Sequence, residues 1–218
     1  MKKNYKVLYQ GGMGEIVEKK SRFIAITMPI ETEEEAIAFF ESIRKKYWDA
    51  THHCTAFVLG RNHEIQRCND DGEPSQTAGK PMLDVLLGQQ IHNAAVVVTR
   101  YFGGTLLGTG GLVRAYAKAV QEGLTNSIII EKCEAKRMKV RIDYTGIGKI
   151  QYICGQMNLP ILNSEYTDIV RMEVLVPEEK EDSFEKSVTE ATSGQAVWEE
   201  KEELLYGIVN GEIKMFEK

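Results

Sequence analysis

The sequence predicts a two-domain protein of the α+β class, because two different orders of strands and helices follow one another along its 218 residues. In the first part, strand-like runs alternate with amphipathic helices and loops rich in glycine and proline. Residues 136–206 follow the order β-α-β-β-α-β of the split, ferredoxin-like arrangement. Charge rises and apolar periodicity breaks at residues 131–136, so the predicted domains cover residues 1–132 and 136–210, with a tail over 211–218.

The first domain is predicted to open with two strands, EIVEKK and RFIAITMPI, which meet at Lys20 and Ser21. A helix over ETEEEAIAFFESIRKKY follows, with Thr32 and Glu35 as a capping box. The next elements are the strands ATHHCTAFVLG and HEIQRC, the helix PMLDVLLGQQI and the buried strand AAVVVTRYF. The glycine-rich segment GGTLLGTGG then leads into the helix LVRAYAKAVQEG, which is expected to start near Gly110 or Gly111 and to close at Gly123.

The second domain is predicted from five further segments. They are the strand KRMKVRIDY, the helix TGIGKIQYICGQM, the strand–turn–strand segment LPILNSEYTDIVRMEVLVP, the helix EEKEDSFEKSVTEATSG and the strand QAVWEEKEELLYG.

The composition is ordinary for a globular protein, with 43% hydrophobic and 27% charged residues. No apolar run approaches the roughly 18 residues of a membrane span, and the N-terminus lacks the apolar region of a signal peptide. We therefore expect a cytoplasmic protein without a membrane partner. The four cysteines form no C-x-x-C pair, so free thiols are expected rather than a zinc ribbon or a thioredoxin-like motif.

The formal charge of −5 is unevenly distributed. Residues 178–203 alone carry −7, which leaves +2 for the remainder of the chain. Between Asp84 and Glu122 there is no acid, and the bases are Arg100, Arg114 and Lys118. A local anion-binding face is therefore compatible with the acidic total, because the field near a site depends on where the charges lie.

The glycine-rich segment is the first candidate site. A helix N-terminus exposes unpaired N–H groups and the positive end of a dipole, and glycines allow a phosphate to come close to the backbone. The spacing matches neither a P-loop nor the dinucleotide motif, and a tight corner with solvated bases is the alternative interpretation. The candidate anion-binding residues here are Arg100, Gly103, Gly104, Gly108, Thr109, Gly110, Gly111, Arg114 and Lys118.

The stretch DDGEPSQTAGKPM is the second candidate site. Its carboxylates could hold a divalent cation or form a general acid, although the spacing is not that of an EF-hand. More often such side chains accept hydrogen bonds from backbone N–H groups in a turn, and Lys80, Arg100 and Arg114 are possible ion-pair partners. The residues expected to shape the site are Asp70, Asp71, Gly72, Glu73, Pro74, Ser75, Thr77, Gly79 and His53.

Two further groups have both a functional and a structural interpretation. His52, His53, Cys54, His63 and Cys68 could supply a metal site or a Cys–His pair, or they could be hydrogen-bonded histidines and packed thiols. On a strand, His53 should point away from its two neighbours. A basic strip (Lys136, Arg137, Lys139 and Arg141) could contact nucleic acid, or it could be a solvated strand edge.

DDGEPSQTAGKPML and VVVTRYFGGTLLGTGGLVRAYAKA together resemble the signature of the IMPACT family, in the two-domain form of its bacterial YigZ-like branch. DATHHCTAFVLG also fits the family pattern, and the resemblance covers residues 1–130 most strongly. The family's usual first motif has glycine where this chain has Gln76, so the backbone at Gln76 is where strain is expected.

The resemblance implies a first domain similar to the second domain of ribosomal protein S5 and a second similar to the last, ferredoxin-like domain of elongation factor G. It implies a fold more than a reaction, although eukaryotic relatives are translation regulators that act through a protein partner. The leading hypothesis is therefore a non-catalytic, translation-associated regulator that binds RNA, the ribosome or a protein partner in translation control. No cofactor and no metal are predicted. Fold analogy is a weak warrant for function, so two alternatives remain. One is a nucleotide- or phosphometabolite-dependent enzyme that uses the glycine-rich loop at 103–111, and the other is a protein-interaction module. A peptidase ranks below these, since no metal set or catalytic triad is evident.

Overall fold

The computed structural model describes residues 4–217, which divide into two compact units. The first unit is Tyr5–Glu131, and the second begins at Lys132 and includes Asn4. Among the described residues, no helix combines the length and hydropathy that crossing a lipid bilayer requires.

The first unit contains a five-stranded sheet in the order β2-β3-β7-β4-β5, in which every neighbouring pair is antiparallel. Two strands that were not predicted, β1 and β6, pair with each other in parallel outside this five-stranded sheet. The strands are β1 (Tyr5–Gln10), β2 (Met13–Glu18), β3 (Ser21–Pro29), β4 (His52–Leu59), β5 (Ile65–Asn69), β6 (Ile91–His92) and β7 (Ala94–Tyr101), and the helices are α1 (Glu33–Lys46), α2 (Gly79–Gly88) and α3 (Thr109–Thr125).

The central strand β7 is buried on both faces, as its composition predicts. Successive side chains of a strand point to opposite faces. Val96 and Val98 therefore pack into a core with residues of α2 and α3, while Ala95 and Val97 pack into a second core with residues of α1. The sheet thus separates two hydrophobic cores.

The helix termini show one confirmed prediction and one correction. Thr32 caps α1, since its hydroxyl accepts a hydrogen bond from the Glu35 N–H at 3.2 Å. The end predicted for α3 is wrong, because the helix continues to Thr125 and Gly123 lies inside it. A Cβ on Gly123 would lie 3.2 Å from the Cβ of Ala25, so this glycine lets the helix approach β3 closely.

The second unit has the predicted β-α-β-β-α-β order, and its antiparallel strands are arranged β9-β10-β8-β11-β12. The α+β class is therefore confirmed. The elements are β8 (Ile128–Ile142, which begins in the first unit), α4 (Ile147–Met157), β9 (Ile161–Tyr166), β10 (Val170–Pro177), a 3₁₀ turn (Glu178–Lys180), α5 (Glu181–Ala191), β11 (Val197–Val209) and β12 (Glu212–Phe216).

Two expectations for this unit are corrected. The segment expected as a tail contains β12, which pairs with β11 from Leu205 to Val209. Strand β8 lies between β10 and β11, so the basic strip is not on a sheet edge. The pleat instead turns Met138 and Val140 into the hydrophobic core, and Arg137, Lys139 and Arg141 to the other face.

Candidate functional site

Asp70 organises the loop that precedes α2. Its Oδ1 accepts hydrogen bonds from the N–H groups of Ala78 (2.9 Å) and Gly79 (2.8 Å), and its Oδ2 accepts one from Gln76 (2.8 Å). The residue at the N-cap of α2, Ala78, cannot cap the helix with its own side chain. A carboxylate eight residues earlier in the chain therefore satisfies the first amides of the helix, where its negative charge also complements the helix dipole.

Asp71 ties the same loop to its neighbours. Its Oδ2 accepts a hydrogen bond from the His53 N–H at 2.6 Å, and its Oδ1 accepts one from Arg44 at 3.0 Å. The loop is thereby attached to β4 and α1.

Two glycines of the loop meet steric or backbone requirements. A Cβ on Gly79 would lie 2.8–3.0 Å from backbone atoms of Asn69, so no side chain fits at this position. Gly72 has a φ of +86°, a conformation that glycine adopts at little cost.

Glu73 is the centre of a buried polar network. Its carboxylate lies 2.6 Å from Arg100 Nη1 and accepts a hydrogen bond from the Tyr116 hydroxyl at 2.7 Å. Arg100 also donates to Ser21 Oγ at 3.3 Å, and its guanidinium lies over the Phe23 ring, 5.2 Å from the centroid. The loop carboxylate therefore neutralises Arg100, which is only 5% exposed.

The remaining loop residues are held by short-range bonds or face solvent. The Thr77 hydroxyl and N–H both donate to the Pro74 carbonyl, at 2.6 and 3.0 Å. Ser75 is exposed. All three loop carboxylates thus bind protein groups, which favours the structural interpretation over a metal-binding or general-acid role.

Gln76 adopts a φ of +63°, in the left-handed region that disfavours residues with a side chain. The strain expected at this position is therefore present. The hydrogen bond from its N–H to Asp70 holds the backbone in place.

Replacing Gln76 by glycine should stabilise the protein by about 0.5–1 kcal/mol. Removing the side chain relieves a left-handed penalty of about 1–2 kcal/mol, part of which is offset by the larger entropy of glycine in the unfolded chain. Urea unfolding measures the change. Gln89→Gly is the matched control, because Gln89 has an ordinary φ of −83° and should lose stability; equal effects at both positions would contradict the strain.

The histidine and cysteine cluster is held by hydrogen bonds. His53 Nε2 lies 2.9 Å from the Tyr47 carbonyl, while His52 Nδ1 lies 2.8 Å from the Asp71 carbonyl, so the two rings point apart as predicted. The Cys54 thiol donates to the Asp70 carbonyl at 3.0 Å, and burial raises its pKa. A raised pKa keeps the thiol protonated and unreactive, which argues against a Cys–His nucleophile.

The glycine-rich loop combines close packing with unusual backbone. A Cβ on Gly103 would lie 2.1 Å from the carbonyl carbon of Lys20, so glycine brings the β2–β3 turn against this loop. Gly104 and Gly108 have φ values of +81° and +74°. Gly108 is the N-cap of α3, which begins at Thr109 with no side-chain cap. Gly110 and Gly111 therefore lie in its first turn, where amide groups remain unpaired.

A cavity of about 240 Å³, here called the basic cavity, lies beside this first turn. Lys19, Arg114 and Lys118 line it, together with Glu18 and Leu107. Among residues 4–217, none of these three bases forms an ion pair. Sequence reasoning missed Lys19, which is remote from α3 in the chain.

The other predicted bases are paired with acids. Arg100 is paired with Glu73 and Lys80 with Asp84, four residues on. In the basic strip, Lys136 lies 2.6 Å from Glu181, Lys139 lies 3.5 Å from Glu173, Arg141 lies 3.6 Å from Glu199, and Arg137 is paired with Glu202. Lys136 lowers the pKa of Glu181 through its hydrogen bond. These pairs weaken the case for a nucleic-acid contact along the strip.

A second pocket, here called the apolar pocket, was not predicted from the sequence. It has a volume of about 340 Å³ and is adjacent to the basic cavity, since Leu107 lines both. Phe102 and Leu106 at this pocket are 48% and 82% exposed. An aromatic and a leucine within a glycine-rich segment were the only available sequence signal.

These features define a two-domain α+β protein whose first domain sets a carboxylate-organised loop against a glycine-rich helix N-terminus. The chain belongs to the IMPACT family. The family described as the Impact N-terminal domain matches residues 19–124, and a domain of unknown function, DUF1949, matches residues 140–195.

Relatives cover most of both chains. The chain is 42% identical to IMPACT family member YvyE of Bacillus subtilis, over 88% of this chain and 89% of that protein. It is 39% identical to IMPACT family member YigZ of Escherichia coli, over 81% and 87%. A solved structure described as a hypothetical protein has 34% identity and a TM-score of 0.59, covering 91% of this chain and 97% of its own.

Proposed function

We propose that this protein is a non-catalytic, translation-associated regulator that binds RNA, free or in the ribosome, through the basic cavity of its first unit. The observation that carries the proposal is that Lys19, Arg114 and Lys118 converge there without an ion-pair partner among residues 4–217. Membership of the IMPACT family supports the link to translation, since the resemblance implies regulators of that process. A cytoplasmic location and a protein partner in translation control belong to the same proposal.

The chemistry of the cavity suits a phosphate backbone. A Cβ on Gly110 would lie 3.6 Å from Arg114 Nη1, so the guanidinium lies along the first turn of α3. Unpaired amides and the helix dipole add to its positive charge, and no acid occurs between Asp84 and Glu122. Glu18 at the rim carries the one negative charge in the lining.

Arg114→Ala should weaken binding to single-stranded RNA and reduce its salt dependence. Each phosphate contact contributes about 0.7 to the slope of log affinity against log salt for single strands, so the slope should flatten by about that amount. Fluorescence anisotropy with a labelled oligonucleotide across a salt series measures both quantities. The matched control is Arg67→Ala, an exposed arginine on β5; no RNA or ribosome binding by the wild-type protein at low salt would overturn the proposal.

The same glycine-bearing helix N-terminus is what a phosphometabolite enzyme would use. That function predicts that a nucleotide or sugar phosphate raises the melting temperature of the protein. A protein-interaction module predicts neither RNA binding nor a ligand-dependent melting temperature. Co-sedimentation with ribosomal subunits across salt, together with the thermal assay, separates the three functions.

A further inference from the structure

The apolar pocket has the walls of a site for a flat ring. Phe102 and Leu106 expose large parts of their side chains there, and Leu107 and Leu112 complete the apolar surface. The Arg100 guanidinium lies over the Phe102 ring, 5.6 Å from its centroid, so the buried cation packs against one face of that ring. A volume of about 340 Å³ is at the small end of ligand pockets and accommodates one heterocycle.

The polar groups of the pocket leave hydrogen-bonding capacity unused. Arg100 lines the pocket, is 5% exposed, and its Nε–H has no acceptor among residues 4–217. A carbonyl only accepts hydrogen bonds, so His52 Nδ1 must carry the proton that is shared with the Asp71 carbonyl. The other ring nitrogen, Nε2, lies 3.9 Å from the Glu73 carboxylate. The pocket thus combines apolar walls with a buried guanidinium that keeps one N–H unpaired.

We propose that the apolar pocket binds an unstacked nucleobase of single-stranded RNA, while the adjacent phosphates lie in the basic cavity, which Leu107 also lines. This inference rests on the proposed function and specifies which part of the RNA enters the apolar pocket, namely a base. Base–aromatic stacking beside a cationic groove is a general mode of single-strand recognition. An aliphatic side chain of a protein partner would fill the walls but leave the Arg100 donor unsatisfied, so a base with polar edges fits better.

The first test separates base contacts from phosphate contacts. Phe102→Ala should weaken binding of a mixed-sequence 12-mer RNA by about 5-fold to 150-fold, the range of one stacked base, without changing the salt slope. Leu106→Ser should act in the same direction, and Phe102→Leu should also weaken binding because it keeps an apolar side chain but removes the π face. Ile37→Ser on α1, where Ile37 is 50% exposed, is the control for surface changes.

An abasic ribose-phosphate 12-mer tells the two proposals apart. This oligomer should bind the wild-type protein more weakly than RNA does, and its affinity should be the same for wild type and Phe102→Ala. If RNA binds with the predicted salt dependence but all three pocket variants bind like Ile37→Ser, the base pocket is wrong and the proposed function stands. If RNA does not bind at all, both proposals fail.

The second test locates the base directly. RNA that contains 4-thiouridine is irradiated with the wild-type protein and digested with trypsin. Cleavage after Arg100 and Arg114 places Phe102, Leu106, Leu107 and Leu112 on one peptide, residues 101–114. We expect the adduct on this peptide and its loss with unlabelled RNA in excess; an adduct confined to other peptides would overturn the pocket assignment.

Discussion

Glu73→Ala is expected to lower the free energy of unfolding of the first unit by about 3–5 kcal/mol, the cost of breaking a buried ion pair from one side. The side chains of Glu73 and Arg100 are only 3% and 6% exposed, so little water can reach the guanidinium that is left. The Tyr116 hydroxyl would lose its acceptor in the same step. Urea unfolding followed by the NMR signals of β7 amides reports on this unit.

Two comparisons test the cause of that loss. Glu15→Ala removes an exposed partner of Arg22, a pair worth about 0–1 kcal/mol, and should have a small effect. The double variant Glu73→Leu/Arg100→Met removes both charges and should recover part of the stability, because no unpaired charge remains. A cost for Glu73→Ala no larger than that for Glu15→Ala would show that the pair does not hold the loop.

Asp70→Ala is expected to cost about 2–3 kcal/mol, since three backbone N–H groups lose one carboxylate acceptor. Asp70→Asn keeps one oxygen acceptor and should cost less. Faster hydrogen exchange at Gln76, Ala78 and Gly79 should accompany the loss. Asp84→Ala is the control, since among the described residues Asp84 accepts one side-chain hydrogen bond, from the exposed Lys80. Equal costs for Asp70→Ala and Asp84→Ala would contradict the capping role.

Most of the secondary structure could be predicted because periodicity and caps are local. The apolar face of α1, its Thr32 cap and the continuous apolar run of β7 each lie within one segment. Where local signals competed, prediction was wrong. A glycine such as Gly123 is typical of a helix C-terminus, but here glycine is needed inside the helix because β3 approaches it closely.

The candidate site could be predicted only in part. The two loops and Gln76 were found from their composition and the family resemblance. Strain at Gln76 was expected from the missing glycine, and the structure shows its form, a left-handed backbone. Lys19 and the apolar pocket were not found, because their neighbours are distant in the chain. Lys19 and Arg114 line one cavity in the folded protein, where the β2–β3 turn packs on Gly103.

The sequence by itself determined most of the strands and helices, the two-domain α+β class and membership of the family, since each depends on patterns within short segments. The tertiary structure decided which charges remain available to a ligand. Arg100 and Arg114 look equivalent in the sequence, but Glu73, 27 residues from Arg100 in the chain, lies 2.6 Å from it, while Arg114 faces the basic cavity. Ion pairing depends on separations of a few ångströms between side chains, and only the folded backbone sets those separations.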